Sequence, residues 1–291
     1  MTTSTMKMKR SRPTSTRRRK RGQLALTLFL QAVLLLIVLL PFFWMLSVSL
    51  KPASEPFAIP ARLWPENPTL VNYQTAFYPE FRRYFFNSTL VSLATMAISI
   101  SVGLLAAYSF SRFRVRGFKV LLVAIILAQM FPVATMIIPI YKIMRRFSLL
   151  DTYPALILAY ITITLPVAIW MLLGFIGNIP KELEESALVE GATRLQAFWR
   201  IAVPLARPGI AATAVWIAVV TWQEFIFALA FTSSREMRTV SVGISDFIGQ
   251  YGIRYGELMA SSVMVSLPIM VVFFFLQRQF VAGLTAGASK G

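Results

Sequence analysis

The chain of 291 residues contains no cysteine and no histidine. Without thiols or imidazoles it can form no disulfide, no zinc site built on those groups, no Cys or His nucleophile and no Ser-His-Asp triad. It also lacks the G-x-x-x-x-G-K-[ST] phosphate loop, so it cannot bind and hydrolyse ATP by that route. We therefore predict a non-enzyme with no catalytic residue, no metal site and no cofactor of its own.

Charged residues are scarce: they make up 14% of the chain, whereas 57% is hydrophobic. Soluble domains are about 25% charged and about 45–50% apolar. Six intervals of at least 20 residues carry no charge except Glu224, and a membrane-spanning helix needs about 20 apolar residues. These intervals lie between Arg21 and Lys51, Arg83 and Arg112, Lys119 and Lys142, Asp151 and Lys181, Arg207 and Arg235, and Glu257 and Arg278. The sequence predicts an all-α polytopic membrane protein with six transmembrane helices.

The charges that are present are mostly positive, with 29 Lys and Arg against 12 Asp and Glu. They favour the segments that are cytoplasmic if both termini lie in the cytosol, as the positive-inside rule requires. We divide the chain into a basic cytoplasmic tail, 1–21, and a transmembrane domain, 22–291. Because a membrane helix follows the tail at once, attraction to anionic lipid explains its charges, and we expect no nucleic-acid partner.

The cytoplasmic connection 177–207 is punctuated like a pair of helices. Gly191 suits the left-handed position that ends a helix, and Thr193 with Gln196 forms a capping box for a second helix. We expect Pro204 to stop that second helix. From the residues alone, this hairpin could dock on a soluble partner or rest on the lipid surface.

The same connection resembles a known signature. Glu185-Ser-Ala187, Gly191 and Ile201-x-Val-Pro204 are spaced like the EAA motif of permease subunits in bacterial binding-protein-dependent ABC importers, with Ser186, Val203 and Glu190 as mild departures. Further segments are similar to the MalG-type subunit of maltose and related sugar importers. They are Asn72-Tyr73, Asn87-Ser88, Ala106–Phe113, Gln129–Pro132, Trp222–Phe225 and the ending Gly283–Gly291.

This resemblance implies a MetI-like permease fold in the bacterial cytoplasmic membrane. It implies a second, MalF-type permease subunit, a dimer of ATP-binding subunits that hold ATP and Mg, and an extracytoplasmic sugar-binding protein. The substrate would be a disaccharide or short oligosaccharide such as maltose, maltodextrin or trehalose. The C-terminal tail, 278–291, would reach the ATPase interface. The residues implied to couple to the ATPase are Glu185, Ser186, Ala187, Gly191, Ile201 and Pro204.

A path for sugar needs polar groups inside an apolar bundle. Glu224 is the only carboxylate within a predicted span, and its distance from Arg207 places it toward the outer interface, which favours a gate or a structural contact over a central sugar ligand. Amides and aromatic rings also suit sugars, so Trp222, Gln223, Gln129 and Asn87 complete the candidates for the substrate path.

Two other classes of function would leave different marks on the sequence. An ion-coupled secondary transporter would carry inverted repeats and several intramembrane ionisable groups, and a membrane enzyme would cluster such groups at one depth. The sequence has one intramembrane carboxylate and no visible repeat. The secondary transporter stays an alternative, as does an ABC permease for a non-sugar solute such as glycerol phosphate.

We predict that Gly191→Trp leaves the subunit inserted in the membrane but uncouples ATP hydrolysis from uptake, because a side chain penalises the left-handed turn and its bulk hinders docking. ATPase activity and sugar uptake, measured together in vesicles, check this. Normal uptake by the variant would contradict the coupling role.

Overall fold

The computed structural model describes residues 15–57, 60, 62–113, 116–249 and 252–288, and it is mainly helical. The helices are α1 (Ser15–Ser49), α2 (Val71–Ala76), α3 (Pro79–Arg112), α4 (Phe118–Ala128), α5 (Val133–Arg146), α6 (Tyr153–Gly177), α7 (Lys181–Val189), α8 (Arg194–Ala197), α9 (Val203–Leu205), α10 (Arg207–Gln223), α11 (Ile226–Phe231), α12 (Val240–Gly243) and α13 (Tyr255–Ala288). A π-helical turn, Phe198–Ala202, joins α8 to α9. Two short antiparallel strands, β1 (Ile248–Gly249) and β2 (Gly252–Ile253), pair in a small sheet.

Four helices are long and apolar enough to cross a membrane unbroken: α1, α3, α6 and α13. Two further pairs of helical segments are long and apolar enough only when taken together, and each pair is bent. The axes of α4 and α5 meet at 100°, and the segment from α8 to α9 meets α10 at 71°. The predicted six spans are therefore obtained when each bent pair is one span, and the all-α membrane fold is confirmed.

The bends have chemical causes. Pro132 precedes α5, and because proline has no backbone N–H it cannot continue the hydrogen-bond ladder of α4.

We expected the fifth charge-free interval to form a single helix. That expectation is wrong, because α10 ends at Gln223 and α11 begins only at Ile226. Between them Glu224 adopts an extended backbone, with ψ of 125°.

The bundle is built around α3 and α6, which pack along each other, while α10 packs against α3 and α13. A Cβ added at Gly103 would lie 3.2 Å from the side chain of Leu172, so the glycine lets these two helices approach closely. In contrast, α1 has α13 as its main helical neighbour, and every described side chain from Leu26 to Trp44 is exposed. An apolar surface of that length suits a helix surrounded by lipid.

At one end of the bundle, the described residues 51–57, 60 and 62–70 form an irregular strap between α1 and α2. The amide of Asn72 fastens it, with Nδ2 donating to the carbonyl oxygens of Ser49 and Lys51 at 2.9 and 2.7 Å. Lys51 is buried and donates from Nζ to the carbonyl of Arg62 at 2.6 Å. Gly256 leaves room for the Asn72 amide, which would lie 2.6 Å from an added Cβ. We call this the strap end, and the end that carries residues 177–207 the hairpin end.

The predicted terminal tails fall partly outside the described residues. Residues 1–14 of the basic tail and 289–291 of the C-terminal tail lie outside them. Residues 15–21 belong to the first turns of α1, and residues 278–288 continue α13.

Gly209 and Gly174 offer a matched test of the packing between α10 and α6. A Cβ on Gly209 would lie 2.7 Å from the Cβ of Phe175 and closer still to its ring, whereas a Cβ on Gly174 would meet nothing within 4 Å. We expect Gly209→Ala to destabilise the protein by about 1–3 kcal/mol. We expect Gly174→Ala to stabilise its helix by about 0.5–1 kcal/mol. Thermal unfolding in detergent measures both, and equal midpoints would contradict the contact.

Candidate functional site

The connection 177–207 folds into the predicted helical hairpin. Gly191 ends α7 with φ of +92°, the left-handed conformation that its sequence position predicted. The amide of Ala192 donates to the carbonyl of Ala187 at 2.9 Å, which closes the turn. The capping box is also confirmed, because Thr193 Oγ1 accepts from the Gln196 amide and Gln196 Oε1 accepts from the Thr193 amide.

The signature residues differ in exposure. Glu185, Ser186 and Gly191 are exposed, whereas Ala187, Ile201 and Pro204 are half-buried. Between the two arms lies a cleft of about 400 Å³. Its lining residues are Ala187, Glu190, Gly191, Ala192, Gln196, Ala197, Arg200 and Ile201. The hairpin thus presents a glutamate, a serine and an open cleft to whatever lies beyond it.

The second helical arm ends at Leu205, one residue beyond the expected stop at Pro204. The π-helical turn at 198–202 precedes it, and Pro204 then occupies the first turn of α9, where a missing N–H costs nothing. The change of direction comes later, at Ala206, the cap residue of α10. Pro204 therefore lies in the last turn of an irregular helical arm, directly before the change of direction.

A buried cluster missed by the sequence analysis holds the hairpin to the bundle. Glu184 is buried although its neighbours Glu182 and Glu185 are exposed. Its carboxylate accepts from the Tyr108 hydroxyl at 2.8 Å and from Arg112 Nε at 2.9 Å. The sequence carries one signal of this cluster: residues 108 and 112 are four apart, so their side chains lie on the same face of α3.

Three of the five substrate-path candidates use their polar atoms inside the chain. Asn87 is fully buried; Nδ2 donates to the carbonyls of Glu236 and Arg238 at 2.8 Å each, and Oδ1 accepts from the Tyr153 hydroxyl at 2.8 Å. The indole N–H of Trp222 donates to the carbonyl of Val265 at 3.0 Å. Both side chains tie α3 or α10 to neighbouring segments of the strap end.

Glu224 is 9% exposed and caps a helix. Its carboxylate accepts from the backbone N–H groups of Phe227 at 2.8 Å and Ala228 at 3.1 Å, at the start of α11. These groups have no partner within the helix, and a carboxylate is also favoured there by the helix dipole. The geometry is that of a structural polar contact at a break between two helices, one of the two roles expected for this residue.

Gln129 and Gln223 differ from the other candidates because both side chains are exposed. Gln129 lies at the bend between α4 and α5 and lines a shallow cavity of about 210 Å³. The other lining residues are Ile126, Pro166, Val167 and Trp170. A role of any of the five residues in a sugar path stays a prediction.

Charged groups of the loop at the strap end are tied to one another. Asp246 accepts from Arg238 at 2.6 Å and from the hydroxyls of Tyr78 at 3.1 Å and Tyr84 at 3.2 Å. Burial and then the charge of Asp246 raise the pKa of the Tyr78 hydroxyl well above its ordinary value. Arg254 donates to the Asp246 carbonyl at 3.0 Å. These contacts hold the loop in one conformation, so it presents a defined surface.

The chain is also similar in sequence and in fold to known proteins. The model of the family described as "Binding-protein-dependent transport system inner membrane component" matches residues 99–285. The trehalose transport system permease protein SugB of Mycobacterium tuberculosis is 38% identical over 256 residues, 87% of this chain and 93% of that protein. The sulfoquinovosyl glycerol transport system permease protein SmoH of Agrobacterium fabrum is 36% identical, over 89% of this chain and 92% of that protein.

The trehalose/maltose transport system permease protein MalG of Thermococcus litoralis is 34% identical, over 91% of this chain and 96% of that protein. Among solved structures, a chain of a bacterial ABC transporter that imports the acidic polysaccharide alginate superimposes with a TM-score of 0.78. The match has 21% sequence identity and covers 90% of this chain and 98% of that chain. This likeness concerns the fold.

The contacts of Asn87 predict a structural cost when it is removed. Asn87→Ala leaves two carbonyls and a tyrosine hydroxyl in part-buried positions without their partner, so we expect a destabilisation of about 2–4 kcal/mol. Gln223→Ala, at an exposed position, should change stability by no more than about 0.5 kcal/mol. Unfolding of the purified protein in detergent checks both. A stable Asn87→Ala variant that only fails to transport would instead identify Asn87 as a sugar ligand.

Proposed function

The chain belongs to the family of binding-protein-dependent transport system inner membrane components, and from this membership we propose that it is the non-catalytic permease subunit of a sugar ABC importer. It spans the cytoplasmic membrane and guides the sugar across, while ATP and Mg are bound by partner subunits. The single observation that carries the proposal is the hairpin, which projects exposed signature residues from the end of a membrane bundle.

The coupling role belongs to Glu185, Ser186, Ala187, Gly191, Ile201 and Pro204. Glu185 and Ser186 are exposed and can contact the surface of an ATPase subunit. The left-handed turn at Gly191 reverses the chain, so that the two arms form one compact hairpin. Half-buried Ile201 lines the cleft between the arms, and half-buried Pro204 lies two residues before Ala206, the cap residue of α10. The small side chain of Ser186 permits close approach of the partner, and its hydroxyl is satisfied by the Glu182 carbonyl at 2.8 Å.

We place the hairpin on the cytosolic side, where ATP is available. Six crossings then put both termini on that side as well, in agreement with the excess of Lys and Arg in the segments assigned to the cytosol. The strap end faces outward, and its loop between α11 and α13 is the surface that would receive a sugar-binding protein. Arg235 is exposed on that loop, whereas Arg238, Asp246 and Arg254 shape it.

The partners are a dimer of ATP-binding subunits at the hairpin, an extracytoplasmic sugar-binding protein at the strap end and a second permease subunit of MalF type. Exposed apolar side chains on α6 and around the bend between α4 and α5 support a second permease or lipid as neighbours. Met130 at that bend is 76% exposed and Trp170 on α6 is 60% exposed. Such large side chains are unusual on a surface that faces water.

The substrate is a disaccharide or a short oligosaccharide such as trehalose, maltose or maltodextrin. The names of SugB and of MalG from Thermococcus litoralis support this, since they specify trehalose and trehalose/maltose. The name of SmoH, with a sulfonated glycoside, and that of the diacetylchitobiose permease DasC of Streptomyces coelicolor show how widely the sugar varies among relatives of similar identity.

Purification of the subunit with its partners, followed by reconstitution into liposomes, tests the proposal. We expect trehalose or a maltodextrin, presented by the binding protein, to stimulate ATP hydrolysis and to be taken up only when ATP is supplied on the hairpin side. Glycerol phosphate serves as the non-sugar comparison. Uptake that persists on a proton or sodium gradient without the ATPase subunits would assign the chain to the secondary transporters instead.

A further inference from the structure

Two adjacent glutamates at the hairpin have opposite surroundings. Glu185 is exposed, whereas Glu184 forms a salt bridge with Arg112 in which the side chains of Arg112 and Glu184 are only 5% and 7% exposed. The signature resemblance draws attention to Glu185. The buried pair lies behind it, between the hairpin and α3.

Among the described residues, the hydrogen-bond partners of the Glu184 carboxylate are at the end of α3. Arg112 Nη2 lies 2.8 Å from Glu184 Oε1 and Nε lies 2.9 Å from it, so two guanidinium nitrogens hold one carboxylate oxygen. The other carboxylate oxygen accepts from the Tyr108 hydroxyl at 2.8 Å. The side chain thus has three donors, which fixes its direction as well as its position.

Arg112 also holds the chain just before the hairpin. Its Nη2 donates to the carbonyl of Ile179 at 3.1 Å, and its Nη1 donates to the Ser111 hydroxyl at 2.9 Å. Because Ile179 precedes α7 and Glu184 lies in its first half, the guanidinium clamps both sides of the start of that helix. Every guanidinium nitrogen of Arg112 therefore has a partner.

The second arm of the hairpin rests on the same end of α3. The rings of Tyr108 and Phe198 lie 4.9 Å apart, centroid to centroid, and the Arg194 guanidinium carbon lies 5.5 Å from the ring centre of Phe113. Both arms are consequently fastened to the end of α3 and to Phe113, the residue that follows it. In contrast, the chain leaves the hairpin for α10 through the 71° bend.

A buried ion pair seldom stabilises a protein more than apolar side chains of the same size would, because both charges lose their hydration. Such a pair does impose a unique geometry. A helix of nine residues such as α7 is too short to hold its own structure or direction in isolation. The pair therefore has its main effect on where α7 points relative to α3.

We infer that Glu184 and Arg112 are positioning residues that join the hairpin to α3, so that displacement of α7 by the ATPase subunits moves the two as one body. This inference rests on the proposed function. It assigns the transmission of movement to α3 and its close neighbour α6, while the bend before α10 takes up the change in angle.

The test compares Glu184→Gln with Glu182→Gln, the same change at an exposed position on the same helix. Each variant is assembled with its partners in liposomes, and sugar uptake per ATP hydrolysed is measured. For Glu184→Gln we expect that ratio to fall about tenfold, a size typical of coupling between two sites. Glu182→Gln should keep the wild-type ratio. An unchanged ratio in Glu184→Gln overturns the inference.

Loss of one buried charge can also impair assembly, so a second variant removes both. Glu184→Gln combined with Arg112→Gln leaves no unpaired buried charge and should assemble. Its uptake per ATP should remain as low as in Glu184→Gln alone, because the contact between the guanidinium of Arg112 and the carboxylate of Glu184 is still missing. A wild-type ratio in the double variant overturns the inference by showing a purely structural pair. Failure of the wild-type complex to couple ATP to uptake would instead overturn the proposed function itself.

Discussion

Inside a membrane a polar group must find its partner within the protein, and this constraint governs the irregular parts of the bundle. The chain breaks between α10 and α11, yet the freed N–H groups are taken by the carboxylate of Glu224. Asn87 accepts and donates at three positions in the same region. The side chains of Glu224 and Asn87 have the chemistry of sugar ligands, but their polar atoms form hydrogen bonds within the protein instead.

The same constraint explains which features the sequence could predict. The number of crossings follows from charge-free intervals, since lipid excludes charge over a fixed length. The hairpin follows from local punctuation, because the left-handed turn at Gly191 and the capping box at Thr193 depend only on nearby residues. Glu184 could not be assigned in this way, because its partners Tyr108 and Arg112 are 76 and 72 positions away. The end of α10 at Glu224 was also missed, since no proline or glycine marks it.

Glu184 and Glu185 show how one helix serves two surfaces. Consecutive residues on an α-helix point about 100° apart, so one carboxylate can face the protein while the next faces outward. The inward side fixes the orientation of the helix, and the outward side is left free to contact a partner. A hairpin of this kind needs no hydrophobic core of its own, because α3 and α6 supply it through Tyr108 and Ile176, which pack with Phe198.

The pairing of α1 with α13 has a consequence for biosynthesis. In translation α1 is made well before α13, which is its main helical neighbour. During translation α1 must therefore stay in the bilayer without that neighbour until α13 has been inserted. Its surface from Leu26 to Trp44, in which only Thr27 and Gln31 are polar, lets lipid take the place of the neighbour until then.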